Sequence, residues 1–240
     1  MKNSILIVFS FLLFTNSSPF KTFDQEQDNW VSLFDGETLT GWHRYNKTDS
    51  PMAWVVREGE LILDPTLINK GDQGHDIVTD KVFSNFQLSL EWNIAEGGNS
   101  GIFWGVQELP EYGRPYATGP EIQVLDNERH PDSKVNPNFH QAGALYDLVQ
   151  PSEEVCLPAG SWNHFLITVN YDVNKGSIEL NGTKIVEFPL YGEEWDALVA
   201  GSKFNNPRVF KDFGKFRTGK IGLQDHGDVI AFRNIKIREL

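Results

Sequence analysis

Cysteine is almost missing from this chain. Cys156 is the only one in 240 residues, so no intramolecular disulfide can form and the cellular compartment has to be read from other signals. As a lone thiol, Cys156 is expected to act as a small buried hydrophobe. Long apolar runs are missing as well. The one sustained run, Ile5 to Phe14, falls short of the roughly 20 apolar residues that a bilayer-spanning helix needs. From Trp30 onward there is no spacer rich in proline or serine, no internal repeat and no low-complexity tract, so no second domain boundary is read. Basic side chains are scarce beside acidic ones, 21 against 33, and the formal charge is −12. An acidic surface of this kind repels phosphate backbones, which excludes nucleic acid as an expected partner.

The N-terminus carries the clearest targeting signal. Lys2 precedes the apolar run, and Thr15, Asn16, Ser17 and Ser18 follow it, the order of a cleavable secretory signal. Residues 1–18 are therefore expected to be a signal peptide, 19–28 a polar linker, and 29–240 one domain. No cysteine stands directly after the apolar run, so no lipid anchor is expected, and no later segment reads as able to span a bilayer. The mature protein should be exported, to a periplasm or to the medium.

Aromatic residues make up 12% of the chain, with seven Trp. The rest of the pattern is short alternating runs broken by Gly, Asn, Asp and Pro, which reads as all-β. In Phe86 to Trp92 every second residue is apolar. Ser177 to Leu180 and Thr183 to Phe188 flank Asn181-Gly182, a pair that favours a type I′ hairpin because both residues accept positive φ. Lys220 to Gln224 and Val229 to Ile237 flank residues 225–228 and read as a second hairpin-like connection. The one helix of note is expected near Glu193 to Ala200. About a dozen strands in one domain call for two packed sheets, and a jelly-roll sandwich is the natural arrangement.

Strand phase assigns faces. Phe86, Leu88, Leu90 and Trp92 should point to the core, leaving Glu91 outside. Ile122 and Val124 should point in, with Glu121 and Gln123 opposite. Ile221 and Leu223 should point in, with Gln224 and His226 opposite. Carboxylates, amides and imidazoles grouped with Trp suit polyhydroxylated ligands, because they hydrogen-bond hydroxyls while aromatic faces pack on sugar rings. The loop Gly97-Gly98-Asn99-Ser100-Gly101 allows close backbone approach, and Asn99 could present its amide to such a ligand. His140 and Lys203, both in loops, are further candidate contacts. Arg233 shares phase with Ile235 and Ile237, so either a bulge re-aims it or it pairs with a buried carboxylate.

Six stretches together resemble the 3-keto-disaccharide hydrolase domain family. They are Leu33 to Trp42, Gly97 to Gly105, Thr118 to Asn127, Ala142 to Leu148, Gly160 to Ile167 and Ile221 to Leu240, and they span nearly all of the chain beyond the linker. The resemblance implies an exported jelly-roll sandwich of the concanavalin A-like lectin/glucanase type. It implies action on sugars oxidised to a ketone at carbon 3, a carbohydrate or glycoside substrate. It points to Glu121, Gln123, Asp126, His226 and Arg233 as site residues, with Asn99 and Gln224 beside them. Ile122 departs from the aromatic residue more usual there, a change that faces the core.

A 3-keto group acidifies the hydrogen on carbon 2, so a base can form an enolate that expels the group on carbon 1. Water then adds back, and the sum is hydrolysis. In this scheme His226 or Glu121 is the base, Asp126 or the other of that pair is the acid, and Arg233 or Asn99 holds the enolate. A divalent metal is another way to stabilise an enolate, with Glu91, Glu121, Asp126, His140 and His226 as available donors, although no compact ligand spacing is present. Two competing readings share the scaffold. Glu121-x-Gln123-x-x-Asp126 resembles the Glu-x-Asp-x-x-Glu signature of laminarinase-type retaining hydrolases, with Gln for the middle Asp and Asp for the last Glu. A non-catalytic carbohydrate-binding module is the other.

Overall fold

The computed structural model describes residues 29–48 and 52–240. The expected signal peptide and linker, residues 1–28, lie outside the described residues. Thirteen strands are present among the described residues: β1 Val31–Ser32, β2 Trp42–Arg44, β3 Trp54–Arg57, β4 Glu60–Leu63, β5 Ile77–Thr79, β6 Phe86–Ile94, β7 Asn99–Val106, β8 Glu121–Leu125, β9 Asn163–Asn170, β10 Lys175–Leu180, β11 Thr183–Phe188, β12 Lys220–Leu223 and β13 Ile230–Glu239. They form an eight-stranded sheet in the order β11-β10-β9-β6-β13-β4-β3, with β1 also on β13, and a five-stranded sheet in the order β2-β5-β12-β7-β8. Every strand pair is antiparallel. This is the two-sheet jelly-roll sandwich. Helix is confined to short pieces, of which α1 Asp132–Val135 and α2 Glu193–Ala200 are α-helical.

Period-two alternation builds the core directly. Phe86, Leu88, Leu90 and Trp92 of β6 are buried and face Phe165, Ile167 and Val169 of β9 on one side and Ile230, Phe232, Ile235 and Ile237 of β13 on the other. From the opposing sheet Ile102, Trp104, Ile122, Val124, Ile221 and Leu223 complete the layer. Each fully buried large apolar side chain contributes about 1.5–3 kcal/mol relative to exposure. Trp104 belongs to this core and packs on Phe188 with ring centroids 5.7 Å apart.

Asn181 and Gly182 take φ of 52° and 83°, and they close the β10–β11 hairpin as expected. Residues 225–228 do not close a hairpin. β12 belongs to the five-stranded sheet and β13 to the eight-stranded sheet, so this segment carries the chain across the sandwich. The reason lies in the apolar residues on either side of it. Ile221 and Leu223, like Ile230 and Phe232, must all reach the same core, and they do so from opposing sheets. Arg233 is turned outward by a bulge. The β13–β6 register shifts between Arg233 and Lys236, and Asn234 takes a positive φ of 53°, so Ile235 and Ile237 return to the core.

Candidate active site

The outer face of the five-stranded sheet is also covered. Tyr45, Val78, Phe103 and Val106 make a small apolar cluster there. The loop after β7 lies over it, and Tyr45 donates its hydroxyl to the carbonyls of Gln107 and Tyr112. At the other edge, residues 143–146 run beside β8 as an added partial strand. Gln123 N–H donates to Ala144 O, Gly143 N–H to Gln123 O, and Tyr146 N–H to Glu121 O. These two coverings bury polar residues that an open outer sheet would leave in water.

Register places the polar residues in adjoining rows. Val78, Gly222, Phe103 and Glu121 are successive partners across β5, β12, β7 and β8. The next outward row runs from Asp76 through Gln224, whose N–H donates to Gly101 O, to Gly101 and Gln123. Glu121, Gln123, Gln224 and Asn99 are all buried. Three of them leave a side-chain atom without a partner: Asn99 Oδ1, Gln123 Nε2 and Gln224 Oε1. Unsatisfied buried polar atoms are costly, and three of them gathered on one sheet face suit a site that a ligand completes.

Gly101 is where Glu121 finds room. A Cβ at Gly101 would run into the Glu121 carboxyl. Removal from water pushes the Glu121 pKa up to about 8, and the negative charges of Asp76 and Asp132 add to the rise. The Lys203 ammonium and the Gln224 amide oppose it without cancelling it. At neutral pH Glu121 therefore holds its proton.

Loops build one wall. The Lys203 ammonium lies 4.0 Å from the Tyr146 ring centroid, and its backbone N–H donates to Asp147 Oδ2 at 2.7 Å. His140 stacks on Tyr146 with centroids 4.3 Å apart. Its ring nitrogens face Asp132 Oδ1 and Asp147 Oδ1, each at 3.0 Å. Tyr146 donates to Asp132 Oδ2, and desolvation together with the Asp132 charge holds the phenol neutral. The opposite wall borders a cleft of about 650 Å³ lined by Asp76, Arg114, Tyr116, Gln224 and His226 together with residues of the 65–74 loop. Gln224 belongs both to this cleft and to the surroundings of Glu121 and joins the two.

Asp126 lies apart from this cluster. Burial works against its ionised form, but hydrogen bonds from Gly97, Glu128 and Arg129 outweigh it and hold the pKa below the usual carboxylate range. Its Oδ2 takes the Gly97 N–H and an Arg129 guanidinium N–H, and its Oδ1 takes the Glu128 and Arg129 N–H groups. Asp126 thus fastens the end of β8 to the glycine loop. Glu91 and Arg233 pair with each other on the other sheet's outer face, at 2.7 Å, with Asn234 on the second Glu91 oxygen. The Arg233 guanidinium lies 3.9 Å over the Trp162 ring. The sequence-expected Glu121, Gln123, Asn99 and Gln224 are thus brought together. His140 and Lys203 form their wall, and His226 stands exposed at the rim.

Sequence reasoning missed Asp76, Arg114, Asp132, Tyr146, Asp147 and His130. Tyr146 and Asp147 sit inside one of the stretches that carry the family resemblance. His130 packs edge-on against His226, centroids 6.0 Å apart, and donor atoms of His130, His226 and Asp228 lie within 4.8 Å of one another. As a cation site the trio fits poorly. His130 Nδ1 accepts the Asp132 N–H, so a neutral ring carries its proton on Nε2 and offers a donor, not a lone pair. Cys156 is half-buried, and its thiol is pushed up to about 12 by desolvation, which leaves it inert at neutral pH.

Residues 29–238 match the 3-keto-alpha-glucoside-1,2-lyase-like domain. The chain belongs to this family. A 3-keto-disaccharide hydrolase of Bacteroides thetaiotaomicron is 34% identical over 236 residues, covering 90% of this chain and 80% of that protein. A crystal structure of a candidate glycosyl hydrolase from Parabacteroides distasonis matches with a TM-score of 0.79 at 31% identity, covering 88% of this chain and 94% of that one. A second candidate glycosyl hydrolase from the same organism matches with a TM-score of 0.65 at 24% identity, covering 88% and 99%. For this member of the 3-keto-alpha-glucoside-1,2-lyase-like family, Glu121 and the amides around it sit within the matched span.

Proposed function

We propose that this protein cleaves the glycosidic bond of 3-keto glycosides, disaccharides among them, by elimination followed by hydration. The observation that carries this reading is the buried, proton-holding Glu121, flanked on one sheet face by amide groups with unspent hydrogen-bonding capacity. The names of the family and of its Bacteroides relative, lyase and hydrolase, match the elimination step and the net outcome of such a sequence.

Loss of the carbon-2 proton leaves an enolate on carbons 2 and 3. Its electron pair then forms the carbon 1–carbon 2 double bond as the carbon 1–oxygen bond breaks. Glu121 gives its proton to the departing oxygen, the task of a raised-pKa carboxylic acid. Gln123 Nε2, the free donor among the three amides, meets the ketone oxygen, whose developing charge needs a fixed donor, while Asn99 Oδ1 and Gln224 Oε1 accept from ring hydroxyls. Water then adds to carbon 1 while carbon 2 regains a proton. Retaining displacement fits less well. Its second carboxylate would be Asp126, which is committed to Gly97, Glu128 and Arg129.

The test is release of an aryl group from an aryl β-glucoside and from its 3-keto derivative. The expected result is release from the keto compound alone, abolished by Glu121→Gln. Equal release from the unoxidised glucoside overturns the reading. Export directed by residues 1–18 belongs to the same proposal. It is checked by N-terminal sequencing of protein recovered from periplasm or medium.

A further inference from the structure

Elimination needs a base for the carbon-2 proton, and Glu121, holding its own proton, is not free to serve. Asp72, Asp76, Asp225 and His226 line the cleft. Asp72 is held by Arg44 and the Gln73 N–H, and both Asp225 oxygens take backbone N–H groups, from His75 and Gly227, which leaves His226 and Asp76 as alternatives. His226 is exposed and belongs to the connection between the sheets. Asp76 is buried and lies at the head of that row. By alternation from Val78, the partner of Gly222, it shares a face with Gln224 and Gln123.

We propose that Asp76 is the general base that takes the carbon-2 proton, opposite Glu121 across Gln224; this rests on the elimination reading above. The register sets the spacing. Asp76 immediately precedes β5 and extends its line, Gln224 extends β12, and the Glu121 carboxyl fills the space over Gly101 of β7. Two strand intervals separate the two acids, roughly 10 Å. That is wider than the roughly 5 Å of a direct-displacement pair, and it leaves room for a sugar ring between proton acceptor and proton donor.

One oxygen of Asp76 is left for chemistry. Oδ1 accepts the Asp225 N–H at 3.0 Å, which fixes the carboxylate. Oδ2 has the Arg114 guanidinium at 3.7 Å, beyond hydrogen-bond range, and Asp76 itself lines the cleft. The charged and titratable groups around Asp76 are Arg114 from the loop after β7, Asp225 from the sheet-to-sheet connection, Tyr45 after β2 and Glu121 from β8. Their balance agrees with the assignment. Desolvation raises Asp76 to about 6, against the Asp225 N–H and Arg114, which lower it, while Glu121 rises to about 8. Between those values Asp76 is ionised and Glu121 protonated. Asp76 takes the proton from carbon 2 and returns it there during hydration. Glu121 gives its proton to the leaving oxygen and recovers one from the attacking water, so the protons balance over the cycle.

The experiment follows the 3-keto aryl glucoside in deuterium oxide, scoring cleavage and deuterium at carbon 2 for the wild-type, Asp76→Asn, Asp76→Glu and His226→Gln proteins. The amide in Asp76→Asn can still accept the Asp225 N–H, and thermal unfolding checks that the fold is kept. We expect wild-type turnover to be bell-shaped, rising near pH 6 and falling near pH 8. Asp76→Asn should lose on the order of 10²-fold or more in kcat, with KM nearly unchanged, and the acidic limb should vanish. Asp76→Glu should recover part of both. A wild-type protein that leaves the keto compound intact sinks the elimination reading itself. A wild-type protein that exchanges and cleaves, with Asp76→Asn matching it or with His226→Gln removing the acidic limb instead, sinks only the assignment to Asp76.

Discussion

The outer faces of the two sheets make opposite use of similar side chains. On the eight-stranded sheet, polar groups are matched to one another. Glu91 takes Arg233 and Asn234, Gln87 bonds both Arg238 and Thr168, and Ser89 bonds His164. On the five-stranded sheet, Asn99, Gln123 and Gln224 are more deeply buried, yet each keeps an atom without a partner. Burial should favour full pairing, because an unmet buried group costs about 1–3 kcal/mol. The face that bears this cost is the one shaped for something besides its own stability, and Glu121 stands in its midst.

Substitutions at matched positions on the two faces test that contrast. The largest effect is expected for Glu121→Gln, which keeps the shape of the side chain and removes the proton it would donate. Turnover of a 3-keto glycoside should fall about 10²–10⁴-fold with the fold intact by circular dichroism. Next comes Gly101→Ala. Its methyl group would occupy the space of the Glu121 carboxyl and force it aside. A misplacement of about 1 Å can cost on the order of 10²-fold, so kcat should drop while thermal stability changes little. A Gly101→Ala protein of full activity would show that the Glu121 position is not critical.

How much of this was legible beforehand follows from what alternation can and cannot carry. Phase along a strand is local, so the inward set Phe86, Leu88, Leu90 and Trp92 and the outward set Glu121, Gln123 and Gln224 could be read from the residues alone. Phase names a face but not a sheet. Glu91 and Glu121 both point away from the core, but from different sheets, and only long-range pairing separates them. Residues 225–228 carry turn chemistry that serves a hairpin or a crossover equally well. Asp76 escaped notice because β5 is only three residues long and buried on both faces, which leaves no alternation to read. Asp132 opens the four-residue α1, and Tyr146 and Asp147 follow an irregular segment beside β8, all too short for a period to show. Asp126 looked like an acid because of its spacing from Glu121, and the backbone N–H groups that bind it are invisible in such a pattern.

A smaller effect separates the faces by stability. Because Glu121 has a folded pKa of about 8 against an ordinary 4.5, the native state keeps a proton that the unfolded chain has released. The stability this confers is complete below about pH 4.5 and is lost as pH rises through 8. Asp76, raised to about 6 from 3.8, acts in the same direction over a lower window. The melting temperature of the wild-type protein should therefore fall by roughly 5–10 °C between pH 5 and pH 8.5. Glu121→Gln should flatten the upper part of that fall. Calorimetry across this range checks it, and a melting temperature that rises with pH would contradict the burial of the carboxyl in protonated form.

The smallest effect should come from Glu91→Gln on the other face. Glu91 is ionised there despite partial desolvation, because Asn234 and Arg233 hold its pKa low. The ion pair is partly solvent-exposed on both sides, and such pairs are worth about 0–1 kcal/mol, or a few degrees at most for a chain of this size. The neutral amide can still accept from Asn234, so even that loss should be partial. Turnover should stay within about twofold of wild-type, because no group of this pair faces the Glu121 cluster. A tenfold loss of turnover with an unchanged melting temperature would break the contrast at its root. It would mean that matched polar pairs on the eight-stranded sheet are tied to the reaction, and that unspent hydrogen-bonding capacity is not what marks the working face.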